Sequence, residues 1–245
     1  MRYARKLLCI LCAVIIVSGS NLAVRGQVPY YSRECVHSSH INEENKIALT
    51  FDDGPHPIYT PIILDILKEY GVQATFFVIG ENAERHPDLI RRILAEGHEI
   101  GNHTYLHKNL KEHTMDCVCH EIVQTEETIL RISEQRTKIL RPPGGLYDNH
   151  VCDAAEILDY DIILWTLDTL DWKHPTPDEI VKNISANIKS GDIILCHDFI
   201  GGAPSPTPDA MRQVIPLLIE RGYSFVSVSS LIHSTPDDTV NNDLQ

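Results

Sequence analysis

The chain lacks any uninterrupted apolar run of the roughly 20 residues that a bilayer-spanning helix needs. Its N-terminal apolar run covers residues 7–17 only, follows Arg2, Arg5 and Lys6, and gives way to Ser18-Gly19-Ser20. That order of parts reads as a secretory signal. Residues 1–26 are expected to direct export and to be cleaved near Ser20 or Gly26, with an uncleaved membrane anchor through residues 7–24 as the alternative. Basic residues are scarce. Residues 1–26 carry four of the 21 Lys and Arg and none of the 34 Asp and Glu, so the remainder has a net charge of −17. Such a surface argues against nucleic acid or anionic membrane as a partner. Cysteines are few and odd in number: Cys35, Cys117, Cys119, Cys152 and Cys196 lie beyond residue 26, and no disulfide framework follows from them. The Cys117-Val118-Cys119-His120 cluster has no second ligand pair at zinc-finger spacing and falls in an expected helix, so it reads as packed thiols. No internal repeat or low-complexity tract is present, which excludes a solenoid, and no motif identifies a protein partner.

What is present is 43% hydrophobic content in 245 residues, enough for one substantial core. Helices are expected where a polar residue precedes proline and an apolar stripe runs to a glycine: Thr60-Pro61 to Gly71, Pro87 to Gly97, Thr176-Pro177 to Gly191 with Glu179 completing a capping box, and Thr207-Pro208 to Gly222. Two more fall near residues 115–132 and 149–158. Short apolar runs at 47–51, 74–79, 99–102, 139–141, 162–165, 193–196 and 225–228 read as buried strands. Their strict alternation with helices gives α/β units around a parallel sheet, and about seven such units suggest a closed or nearly closed β/α barrel, with a doubly wound sheet as the alternative. Residues 27–45 read as a polar lead-in and 233–245 as a mobile tail, with the strand and helix units lying between them over 46–232.

Nearly every strand ends in polar residues, and in a β/α barrel the strand C-termini converge on one face. Thr50-Phe51-Asp52-Asp53-Gly54-Pro55 sets two acids side by side. Adjacent strand residues point to opposite faces, so both acids serve one site only if the backbone bends there. Alone, Asp-Asp-Gly is more often an ordinary turn. In Gly101-Asn102-His103-Thr104-Tyr105-Leu106-His107, the two histidines share a face if the segment forms a helical turn. With an acid as third ligand and an open position for water, they suit a divalent metal. Downstream come Arg141-Pro142-Pro143-Gly144-Gly145, then Asp168-Thr169-Leu170-Asp171-Trp172, then Leu195-Cys196-His197-Asp198.

Taken together, these five motifs resemble the polysaccharide deacetylase family, which shares the chitooligosaccharide deacetylase homology domain and is of the carbohydrate esterase family 4 type. The resemblance spans residues 46–232 and implies a distorted seven-stranded parallel β/α barrel. It also implies hydrolysis of N-acetyl groups on an amino-sugar polysaccharide, of the peptidoglycan or chitin type, by a secreted or cell-wall protein. Carried over motif by motif, Asp53, His103 and His107 bind the metal, zinc in the first instance, with cobalt or manganese as alternatives. Asp52 is the general base, oriented and kept ionised by Arg141. His197 is the general acid, held by Asp171. The Gly144 N–H joins the metal in stabilising the oxyanion, and Trp172 and Leu195 line the groove, where plain core packing is the competing account of Leu195.

The family usually has an aromatic residue where this chain has Gly144, a change that removes a groove wall and loosens the loop. Cys196, between Leu195 and His197, should turn its thiol away from the site. Asn102 and Asn183 match the glycosylation sequon, but Asn102 lies too near the metal ligands to carry a glycan. Two other functions share the fold: an esterase removing O-acetyl groups from xylan, and a catalytically weak glycan-binding protein.

Overall fold

The computed structural model describes residues 36–37, 45–201 and 204–233; the expected signal and nearly all of the expected tail lie outside them. Among the described residues, nine strands are interspersed with eight helices. They are β1 (Val36–His37), β2 (Lys46–Asp52), α1 (Tyr59–Tyr70), β3 (Thr75–Val78), α2 (Gly80–Arg85), α3 (Pro87–Ala95), β4 (Glu99–Asn102), α4 (Met115–Ser133), β5 (Ile139–Leu140), α5 (Asn149–Leu158), β6 (Asp161–Ile163), β7 (Leu167–Asp168), α6 (Pro177–Asn187), β8 (Ile193–His197), α7 (Thr207–Glu220), β9 (Ser224–Phe225) and α8 (Val228–Ile232). Every pairing is parallel, in the order β1-β6-β5-β4-β3-β2-β8-β7, with β9 on the first residues of β2. The sheet curls into a half-barrel with helices flanking it, a distorted β/α barrel as expected.

Differences from the sequence reading are local. β1 lies within the segment read as a lead-in, β7 follows closely on β6, and the run 225–228 divides into the end of β9 and the start of α8. Thr176 forms the expected capping box with Glu179, and Gly71 ends α1 in the left-handed conformation. Thr60 and Thr207 do not cap. Thr60 is the second residue of α1 and Thr207 the first of α7, and each hydroxyl goes to a buried aspartate.

Strand alternation decides what faces the barrel interior. In β2, Ile47, Leu49 and Phe51 join the outer core with α1, α3, α6 and α7, whereas Ala48 packs inside with Phe77, Ile139, Ile163 and Ile193. Thr50 and Asp52, two and four residues beyond Ala48, therefore climb the interior wall. β8 repeats the pattern: Ile194 and Cys196 pack outward, while Ile193, Leu195 and His197 face in. A second outer cluster, including Leu140, Val151, Tyr160 and Ile162, seats α4 and α5.

Candidate active site

Asp53 departs from strand geometry at φ 75°, and this left-handed residue supplies the bend that two adjacent acids require. Asn82 Nδ2 donates to the Asp53 carbonyl (2.9 Å) and the Ile79 N–H to the Gly54 carbonyl (2.9 Å), fixing the turn. Residues 103–107 form no helical turn. Thr104 and His107 both have positive φ, and three of the loop's backbone donors are met by side chains. The Thr104 N–H donates to Asn102 Oδ1, and the Tyr105 and Leu106 N–H groups donate to the buried Glu121 carboxylate of α4, which also pairs with Lys108. Asn102 is fully buried, which rules out a glycan there.

This loop brings both imidazoles to one carboxylate. His103 Nε2 lies 3.3 Å and His107 Nε2 3.1 Å from Asp53 Oδ1. Against the upward push of burial, the two imidazoles hold the Asp53 carboxyl well below the usual carboxylate range. The Asp53 carboxylate in turn raises His107. The donor set fits a divalent ion. Bonds of about 2.0–2.1 Å in a tetrahedron put neighbouring ligand atoms roughly 3.3 Å apart, close to the spacings seen. His103 Nδ1 is 2.6 Å from the Arg141 carbonyl; donating its proton there leaves the Nε2 lone pair facing Asp53, the ligating arrangement. Among the described residues no other group of three such side chains could hold a metal.

Arg141 is fully buried and spends its donors inside the barrel. Nη1 reaches Asp52 Oδ1 and Thr50 Oγ1, both at 2.7 Å, Nε donates to the Ile163 carbonyl and Nη2 to the Leu164 carbonyl. Its guanidinium lies 4.0 Å from the Phe77 ring centroid. Asp52 is thus anchored through Oδ1, while Oδ2 faces His103 Nε2 at 3.7 Å.

His197 pairs with Asp52 across β2 and β8. Its Nδ1 is 2.8 Å from Asp171 Oδ1, and Asp171 Oδ2 accepts from the His197 N–H and from Thr207 Oγ1, both at 2.8 Å. Burial lowers the His197 pKa, but Asp171, aided by Asp52 and Asp53, outweighs it and lifts the imidazole to about 9. Asp198 is buried just beyond; burial, opposed by the Thr60 hydrogen bond and reinforced by the Asp53 and Asp52 charges, raises it to about 7.

These groups open onto a cavity of about 260 Å³ lined by Asp52, Asp53, His103, His107, Gly144, Trp165, Asp168, Trp172, Leu195 and His197. Every residue singled out from the sequence is here or directly behind it, with Arg141 and Asp171 supporting the lining groups. Trp172 is 47% exposed, its Nε1 directed at Asp168 Oδ2 (3.4 Å), whereas Leu195 is almost wholly buried and meets the cavity at its floor. Cys196 packs outward, as expected. Sequence reasoning missed Trp165 and Asp168 as lining residues and Thr50, Thr60, Glu121 and Thr207 as supports. Only their nearness to the motifs, and for Glu121 a lone acid in an apolar helix face, gave any signal. A second cavity of about 300 Å³, at the strands' N-terminal ends beside His98, Glu99 and Lys138, has no metal-ligating cluster.

The chain is similar to known proteins. A family profile described as polysaccharide deacetylase matches residues 40–163. Over 193 residues the chain is 42% identical to a peptidoglycan-N-acetylglucosamine deacetylase of Bacillus cereus, covering 78% of this chain and 70% of the relative. The chain belongs to the polysaccharide deacetylase family. It is also 36% identical over 190 residues to a chitooligosaccharide deacetylase of Sinorhizobium fredii, covering 72% and 87%. A solved peptidoglycan N-acetylglucosamine deacetylase, crystallised with 4-naphthalen-1-yl-N-oxidanyl-benzamide, superposes on this deacetylase-family chain with a TM-score of 0.77 at 40% identity, covering 80% of this chain and 92% of the other.

Proposed function

We propose that this protein is a metal-dependent N-deacetylase that removes acetyl groups from N-acetylglucosamine units of peptidoglycan or chitin-type chains outside the cytoplasmic membrane. The observation that carries the reading is the arrangement of Asp53, His103 and His107 about one point, with Asp52 and His197 on adjoining strands beside it. Asp53, His103 and His107 hold a divalent ion, zinc by the two-imidazole, one-carboxylate donor set. Bound there, the ion supplies Lewis-acid polarisation of the acetyl carbonyl and acidifies water. Asp52, anchored by Arg141 through Oδ1, takes the proton of the attacking water at Oδ2. The Gly144 N–H donates to the developing oxyanion. His197, protonated at neutral pH, passes its proton to the departing sugar nitrogen while Asp171 holds the imidazole. Trp172 offers an apolar face to a sugar ring, Trp165 and Leu195 floor the groove, and the segment 1–26 directs export.

Acetate release from N-acetylglucosamine oligomers and from peptidoglycan, using protein stripped of metal and resupplied with zinc, cobalt or manganese, tests this reading. Release should return with metal and fall about 10²–10⁴-fold in Asp52→Asn. Metal-bound protein that releases no acetate from either glycan would refute it.

A further inference from the structure

Asp198 has no part in the scheme above, yet it is fully buried at the point where the acid's strand meets the metal-ligand turn. Its N–H donates to the Asp52 carbonyl (3.2 Å), extending the β2–β8 ladder one residue past His197. Its carboxylate lies flat against Gly54: a Cβ there would stand 2.1 Å from Asp198 Oδ2 and 2.3 Å from Oδ1. Thr60, also fully buried, donates its hydroxyl to Asp198 Oδ2, and Thr60 Oγ1 accepts the His56 N–H at 2.7 Å. Asp198 Oδ1 is buried with no hydrogen-bond partner, an arrangement that by itself disfavours the folded state. Packing alone would be met better by an apolar side chain. What the carboxylate adds is a junction: a residue that continues the strand bearing His197 meets, through its side chain, the turn bearing Asp53 and the first turn of α1.

We infer that Asp198, with Thr60, is a positioning residue that clamps the Asp53–Gly54 turn against the end of β8 and thereby fixes the first metal ligand at its place beside His197. The inference rests on the reading of Asp53, His103 and His107 as metal ligands. Supports of this kind change metal affinity by about 10–100-fold when removed.

The test measures zinc affinity by competition with a chromogenic chelator, and the thermal midpoint of the metal-free protein, in Asp198→Ala, Asp198→Asn, Thr60→Val, Thr60→Ser and His103→Ala. Asp198→Ala and Thr60→Val should weaken zinc binding about 10–100-fold. Asp198→Asn, which keeps the shape and an acceptor for Thr60, and Thr60→Ser should recover most of it. Should Asp198→Ala fail to fold, Thr60→Val carries the test. Zinc held as tightly in Asp198→Ala and Thr60→Val as in the parent, with only the midpoint lowered, would reduce the clamp to a structural contact and overturn the inference. If His103→Ala also leaves zinc binding unchanged, it is the ligand triad that has failed.

Discussion

Arg141 shows how one side chain can be costly and necessary together. A guanidinium with no exposure loses its hydration, and five contacts replace it: Asp52, Thr50, two carbonyls and the face of Phe77. Arg141→Met should leave Asp52 buried without its counter-charge, at a cost of about 3–5 kcal/mol, measurable by chemical denaturation. His197 gives a pH signature. Its folded pKa is raised to about 9, so it keeps its proton at neutral pH and loses it as pH climbs through that value, and kcat/KM should fall on the alkaline side. Asp171→Asn removes the charge that holds the proton and leaves burial, which lowers the pKa, unopposed by that partner. The alkaline limb should then move to lower pH by more than one unit, read from kcat/KM against pH. A cation at Asp53 would lower the alkaline limb in parent and variant alike and leave their order intact. An alkaline limb unmoved by Asp171→Asn would remove His197 as the acid.

At the level of elements, the interior-facing alternation of parallel strands produces the site. Ala48, Thr50 and Asp52 in β2, and Ile193, Leu195 and His197 in β8, rise from apolar floor to polar rim in steps of two. Gly101 in β4 lets Phe77 stand against it: a Cβ would lie 2.3 Å from the Phe77 ring. Gly101→Ala should therefore push that ring toward Arg141, costing about 1–3 kcal/mol of stability and lowering turnover as Asp52 shifts, both read on one purified variant. Gly144 and Gly145 adopt φ values of 65° and 67°, which side chains other than glycine rarely take. An aromatic residue at 144 would thus require a different backbone path, so the departure at this position involves the turn as well as one wall of the groove.

Much of this was legible in the sequence, because buried parallel strands leave apolar runs and helix ends leave glycine and proline. The five motifs fell at strand ends for the same reason. Contacts made by ordinary hydroxyls were not legible. Thr60 and Thr207 carry the local grammar of helix caps, and only the fold brings Asp198 and Asp171 within reach of them. The histidine spacing at 103 and 107 suited a helix, but Glu121, distant in sequence, holds the segment as a loop.

For the whole molecule, an ion at three converging ligands links occupancy to stability. With zinc free at about 1,000 times its Kd, the folded state gains roughly 4 kcal/mol, or about 10 °C in Tm for a chain of this size, and chelation should return that increment in a thermal melt. A proton on the raised His107 competes with the cation, so zinc affinity should decline as pH falls, checked by repeating the chelator competition across pH.

The pairing of β2 with β8 has a consequence in time. The Thr50 hydroxyl bond to the Ile194 carbonyl spans 144 residues, and the proposed base and acid become neighbours only when that pairing forms. Such distant closures come late and slowly in folding. If the leader directs export as proposed, a chain still passing through a secretion channel holds its acid and its base in separate, unjoined lengths of polypeptide. Hydrolytic capacity then begins only once residue 197 has arrived beside residue 52.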